Sequence, residues 1–235
     1  MAWKFADQIH ALTGFDAEST NDSETGEDFN LLANQWLVDA AKEVINAFPP
    51  ELKMKCVKMK ALNSSSPMDL DSAGDIFHVT RENADDGYHI GCREIHAAYA
   101  GSSSDSSSIH YSTVNDPVYW IESDTSGDPK LFVNPDPTAN QHARVHYLSY
   151  PPNSTVWDGS NLPGNATSIS NFPDEAEFLV PIRAAITAAE YLLAFEEDPE
   201  LYGPIIKVLK MQYEEGLSSL STKVAKAKQA EGEQR

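Results

Sequence analysis

Asp105, Ser108 and His110 crowd into one short stretch, GSSSDSSSIH, and supply the residue types of a hydrolytic relay. Such a relay needs a hydroxyl within hydrogen-bond reach of a base that a carboxylate orients. Proximity inside a serine-rich run satisfies the types without the geometry, so the stretch reads as composition. The seven histidines raise metal binding next. His142 and His146 in HARVH share a strand face, yet residues four apart on a strand lie ~13 Å apart, too far for one ion. His89 and His96 stand farther apart still, and strand histidines of ordinary kind are expected. Asp85-Asp86-Gly87 resembles a piece of a calcium loop but lacks the alternating ligands and the distal glutamate, which leaves a turn. Tyr119, Trp120, Tyr147, Tyr150 and Trp157 have the character of a binding platform, with core or subunit-interface packing as the preferred role. Cys56 and Cys92 are too few for a zinc site or a disulfide framework and read as buried thiols. Nucleophile-elbow, phosphate-loop, dinucleotide and zinc-protease patterns do not occur. The expectation is therefore no catalytic, cofactor-binding or metal residues and no cofactor, which points to a structural or binding role.

Charge narrows the partners. Among 235 residues, 17 Lys and Arg face 36 Asp and Glu, a formal charge of −19. Tight nucleic-acid binding needs clustered cations to neutralise phosphates, so it is not expected. An acidic wall instead repels DNA and lets it pass. The start, MAWKFADQIH, lacks the basic and apolar regions of a secretory leader. The sequence offers no run near the ~20 apolar residues of a membrane span. The triplets at Asn21, Asn63, Asn153 and Asn165 reflect Asn- and Ser-rich loops. A soluble protein made in a cytoplasm, without a membrane partner, is expected.

The positioning elements follow from periodicity. Phe5, Ile9 and Leu12 mark a short amphipathic helix. An acidic linker over 14–27 leads to Thr25 and Asp28, a weak capping box, and then to a helix. In that helix Phe29, Leu32, Trp36, Leu37, Ala40, Val44 and Phe48 form one apolar stripe, and Pro49-Pro50 ends it. Short β-rich runs come next: LKMKCVKMKAL, DIFHVT, GYHIGCREIHAAY, SIHYSTV, PVYWIES, KLFVN and ARVHYLSY. Turn-rich segments separate them, including GSSSDSSS, which reads as a mobile tip. A long Pro-, Gly- and Asn-rich loop fills 151–171. From Phe172, Pro173 with Asp174, Glu175 and Glu177 suits a helix start, and Pro181 predicts either a fresh helix there or a kink. Asp198-Pro199 starts the last helix, with Gly203-Pro204 able to shift its start to Pro204. The lysine-rich end is expected to fray, and Lys223, Lys226 and Lys228 either dock a partner's acidic surface or, as preferred, satisfy the helix dipole and aid solubility.

These elements predict an α+β fold: a helical bundle formed by the N- and C-terminal helices, with a large inserted β-sandwich or barrel-like region. The expected parts are 1–50 and 172–235 as one helical body, and 51–171 as the β insertion. Each terminal helix exposes an apolar stripe that cannot stay in water alone, so mutual packing is the economical solution.

The order of parts resembles tailed-bacteriophage head-to-tail adaptor (connector or neck) proteins. The residues that carry the resemblance are a helix ending at FPP, the strands PVYWIES and KLFVNPDPTANQHARVHYLSYPP, and then FPDEAEFLVPIRAAITAAEYLLAFEEDPELYGPIIKVLKMQYEEGLSSL. It covers about Asp28 to Leu220. It implies a structural protein of the virion, assembled in the host cytoplasm. Such a protein self-associates into a dodecameric ring beneath the portal and contacts portal and tail proteins. DNA passes through without specific binding. The alternatives are another virion component (tail terminator, tail completion or capsid decoration) or, from another class, an acidic hydrolase with dispersed carboxylates.

Overall fold

A computed structural model describes residues 3–15, 29–64, 67–70, 73–83, 87–151, 157 and 162–232, with the side chains at 29–30 and 223–232 excluded. The acidic linker (apart from its first residues, Gly14 and Phe15), the Asp85-Asp86 turn and most of 152–161 lie outside these residues, as do the side chains of Lys223, Lys226 and Lys228. The chain divides into two compact units, 1–56 with 150–235, and 57–149. Among the described residues, 51–56, 150, 151, 157 and 162–171, grouped by sequence with the strands, belong to the helical unit.

The helical unit is built around one alanine-rich helix. α1 (Phe5–Thr13), α2 (Phe29–Ala47) and the short α3 (Pro50–Lys53) precede the strands, and α4 (Leu179–Glu196) and α5 (Pro199–Gly232) follow them. α1, α2 and α5 all pack against α4. That explains the alanines: Ala184, Ala185, Ala188 and Ala189 are fully buried, and small side chains let three helices approach one axis. Trp36 of α2 meets Tyr191 of α4 with ring centroids 5.5 Å apart, and Phe15 meets Trp36 at 5.1 Å. Arg183 Nε donates to Glu43 at 2.7 Å across the same two helices.

Pro181 neither starts nor ends a helix, and the last helix starts at Asp198-Pro199 as expected, without a shift to Pro204. Asp174–Ala176 forms a separate 3₁₀ turn, and α4 then starts at Leu179 with Pro181 inside its first turn. A missing N–H costs nothing there, because first-turn amides have no intrahelical acceptor. α5 starts at Pro199 and runs through Pro204. Asp198 makes the early start possible, since its side chain accepts from Leu201 N at 3.1 Å. The backbone is helical to Gly232.

Asp174–Glu196 is long and apolar enough to cross a bilayer by length and composition alone, and 50% of that window is buried inside the protein. The three packed helices account for the burial.

The β unit corrects the expected fold. In place of one large sandwich or barrel-like insertion on a helical bundle, the chain is α+β with about 47% helix and 25% strand, carrying two sheets of four strands each. The first is antiparallel, in the order β1 (Val57–Leu62), β8 (Ala143–Ser149), β3 (Ala73–Glu82), β4 (His89–Gly91). The second is mixed, in the order β2 (Met68–Asp69), β7 (Pro129–Asn134), β6 (Val118–Ser123), β5 (Arg93–Glu94), with β5 parallel to β6. The physical cause is visible at Cys92. Its amide donates to Val79 in the first sheet, while the next amide, Arg93, donates to Pro117 beside β6. A run that reads as one strand, GYHIGCREIHAAY, thus changes sheets after three residues and then coils into 3₁₀ turns. Leu62, Val79 and Val145 from one sheet and Met68, Leu131 and Val133 from the other share a core.

The serine-rich tip and SIHYSTV are corrected as well: they form 3₁₀ and turn structure tied to the sheet. Asn134 Nδ2 donates to both Ser103 Oγ and Ser112 Oγ at 2.8 Å, and Ser103 and Ser112 are buried. Hydroxyls that compete for backbone and amide partners favour such turns over a ladder.

Candidate functional site

Sequence-selected residues are mostly dispersed by the fold. Asp105 Oδ1 accepts from Ser107 N at 2.9 Å and Ser107 Oγ at 2.8 Å, which holds its carboxyl below the usual range. His110 instead stacks on Tyr99, centroids 4.3 Å apart, so no relay forms. His96 accepts from Ala98 N as a turn cap. The five aromatics do not converge. Trp157 is fully buried in the helical unit, edge-on to Phe5, and Tyr150 donates to Asn46 Oδ1 at 2.6 Å. In the β unit Trp120 stacks on Phe132, its cross-strand partner, while Tyr119 donates to Glu94 Oε2 at 3.0 Å. Cys56 and Cys92 are free, and burial pushes their thiols up to about 11 and about 12.

Two features remain, one in each unit. The first is a histidine–glutamate cluster that strand register assembles. Glu82 pairs with His89 on β4, and on its other side its amide donates to the carbonyl of His142, the residue before β8, at 3.0 Å. Directly opposed residues point to the same face of a sheet, so His142, Glu82 and His89 stand in one row across three adjacent chain segments. Thr80 with Arg144, then His78 with His146, continue the same face. One ligand atom from each of Glu82, His89 and His142 lies within 4.8 Å of the others. His142 Nδ1 approaches Glu82 Oε2 at 3.0 Å, and the two imidazoles are 5.4 Å apart. Glu82 Oε2 and His89 Nδ1 are shielded from solvent, and His89 Nδ1 makes no hydrogen bond. Burial, then the Arg144 charge, holds His89 below its ordinary range, against the pull of Glu82.

Arg81 positions this row from the opposite face. Its side chain is buried in the sheet, where Nε donates to Pro135 O at 2.8 Å and Nη2 to Asp136 O at 3.2 Å. Those bonds fasten the turn that delivers His142. Spacing along the chain does not bring His89 and His142 together; their meeting depends on β8 and β4 flanking β3. The alternation of Glu82 against core-facing Val79 and Arg81 was the one available signal.

The second feature is an open seam on α5. Tyr202, Ile206, Leu209, Tyr213, Gly216 and Leu220 recur at spacings of four and three and form its inward face. Leu201, Ile205 and Val208 repeat the same spacing on an outer face, with Met211 beside them. Leu201, Val208 and Met211 are 51%, 47% and 53% exposed. An apolar groove of about 330 Å³ between α1 and α5 continues this face, lined by Leu12, Ile205, Val208 and Leu209.

Compared with known proteins, the chain matches no family model and no curated protein sequence.

Proposed function

We propose that this chain is a structural virion protein, the head-to-tail adaptor of a tailed bacteriophage. Its copies form a ring that binds the portal protein on one side and tail proteins on the other, and DNA passes without specific binding. The observation that carries the reading is the outer seam of α5. A 34-residue helix spans ~51 Å, and the part around Leu201, Val208 and Met211 holds large apolar side chains in water. Such a stripe marks a contact surface.

The occupant proposed for it is a neighbouring copy of this chain. With a charge of −19, two copies repel at long range and need a contact that carries both signs. Exposed Glu200, Lys207, Lys210, Glu214 and Glu215 supply both signs on α5 itself. The resemblance from Asp28 to Leu220 selects a phage adaptor among ring-forming structural proteins.

Native mass spectrometry and electron microscopy, with the chain alone and mixed with portal protein, test the proposal. Rings or portal-bound oligomers are expected. Val208→Asp with Met211→Asp should weaken self-association at least tenfold, about 1.4 kcal/mol, while far-UV circular dichroism stays unchanged. Monomers alone and with portal would overturn the reading.

A further inference from the structure

We propose that Glu82, His89 and His142 form a binding site for a divalent transition-metal ion of the zinc class, tying the edge strand β4 to β8 across β3. This inference does not rest on the adaptor reading. It starts from two solvent-shielded atoms: His89 Nδ1, which makes no hydrogen bond, and Glu82 Oε2, which has His142 Nδ1 at 3.0 Å. An unpaired buried polar atom carries a desolvation penalty that a metal bond removes. The third member, His142, lies within reach of both, with all three potential ligand atoms inside 4.8 Å.

Donor chemistry sets the class of ion. Two imidazoles and one carboxylate suit zinc, cobalt or nickel, whereas calcium and magnesium prefer oxygen throughout. Bonds of ~2.05 Å on a tetrahedral ion place ligands ~3.3 Å apart. Closing 4.8 Å to that distance takes about 1.5 Å, within the reach of small side-chain rotations. Backbone pairing already fixes the three Cα positions, so little order is lost on binding. Arg144, and beyond it His146 and His78, are the other charged or titratable groups along this face. Arg144 repels a cation, and the Glu82 carboxylate opposes that repulsion. Three protein ligands leave a position for water or for an anion that Arg144 favours.

The site also does mechanical work in the fold. β4 has only three residues and sits at the sheet edge, held to β3 on one side. A bound ion links it to the segment entering β8, two positions across the sheet.

The test uses the full, untagged chain after chelator treatment. Isothermal titration with zinc chloride should show one ion per chain, and cobalt chloride should give the visible spectrum of a nitrogen- and oxygen-ligated ion. His89→Ala and Glu82→Gln should each lower zinc affinity at least tenfold, and His96→Ala should leave it unchanged. Zinc should raise the melting temperature of the parent chain and not of His89→Ala. If His89→Ala loses its circular-dichroism spectrum, His89→Asn takes its place at this half-buried edge position. Absence of stoichiometric zinc binding would overturn the proposal, as would affinity that survives both the His89 and the Glu82 substitutions.

Discussion

Gly216 allows one substitution to be predicted with opposite signs at two places on the same helix. A Cβ built at Gly216 would sit 2.5 Å from Leu179 Cδ2 and 3.2 Å from Phe178 Cε2, whereas at Gly203 it meets nothing within 4 Å. Alanine gains ~0.8–1.0 kcal/mol over glycine from helix propensity alone. At Gly203 that gain stands nearly whole, so Gly203→Ala should stabilise by about 0.5–1 kcal/mol. At Gly216 the extra methyl must displace Leu179, a side chain with no exposed surface. Overpacking costs typically 1–3 kcal/mol, which leaves a net change between about zero and a loss of about 2 kcal/mol after the propensity gain. At roughly 2–4 °C per kcal/mol for a chain of this size, the two variants should differ by several degrees. Urea unfolding followed by far-UV circular dichroism, which reports the helices, is the assay. A double-mutant cycle adds specificity: with Leu179→Ala the Gly216→Ala penalty should vanish, giving a coupling of at least ~1 kcal/mol. Equal stability of Gly216→Ala and Gly203→Ala would refute the claim that α5 and the start of α4 touch through this glycine.

The β unit supplies two further predictions. Lys130 donates to Asp124 at 2.9 Å, and with the amides of Ser126 and Asp128 it holds the Asp124 carboxyl below its ordinary 3.8. A depressed carboxyl favours folding above the ordinary value and loses that contribution as pH falls through the folded-state value. An NMR titration should therefore place the Asp124 midpoint below 3.8, and Lys130→Met should move it upward; an unmoved midpoint would contradict the pairing. Arg81→Met should destabilise the β unit by about 2–4 kcal/mol, because the carbonyls of Pro135 and Asp136 lose their donor. Hydrogen exchange at the Glu82 amide should accelerate in that variant, and unaltered protection would show that the clamp does not position the His142 turn.

Local chemistry was readable wherever it acts along the chain. The stripe through Leu37, Val44 and Phe48 identifies α2, and Pro49-Pro50 ends it, because proline lacks the donor N–H. The alanines of α4 signal close helix approach, and KLFVN and ARVHYLSY read correctly as strands. The strand SIHYSTV failed for a stated reason: Ser103 and Ser112 bind Asn134, and that partner lies far along the sequence. Trp157 packs as expected in a core rather than on a platform, edge-on to Phe5.

By itself the sequence determined the long helices α2, α4 and α5, the stop at Pro49-Pro50, and a formal charge of −19. These follow from periodicity, covalent geometry and counting, none of which requires a partner segment. Only the tertiary structure decided that the strands split into two sheets at Cys92, that α4 lies among three helices, and that His89, Glu82 and His142 share one row. Each of these depends on which strand or helix lies next to which, and a linear pattern with a period of two or 3.6 residues states which face a side chain takes but not what lies opposite.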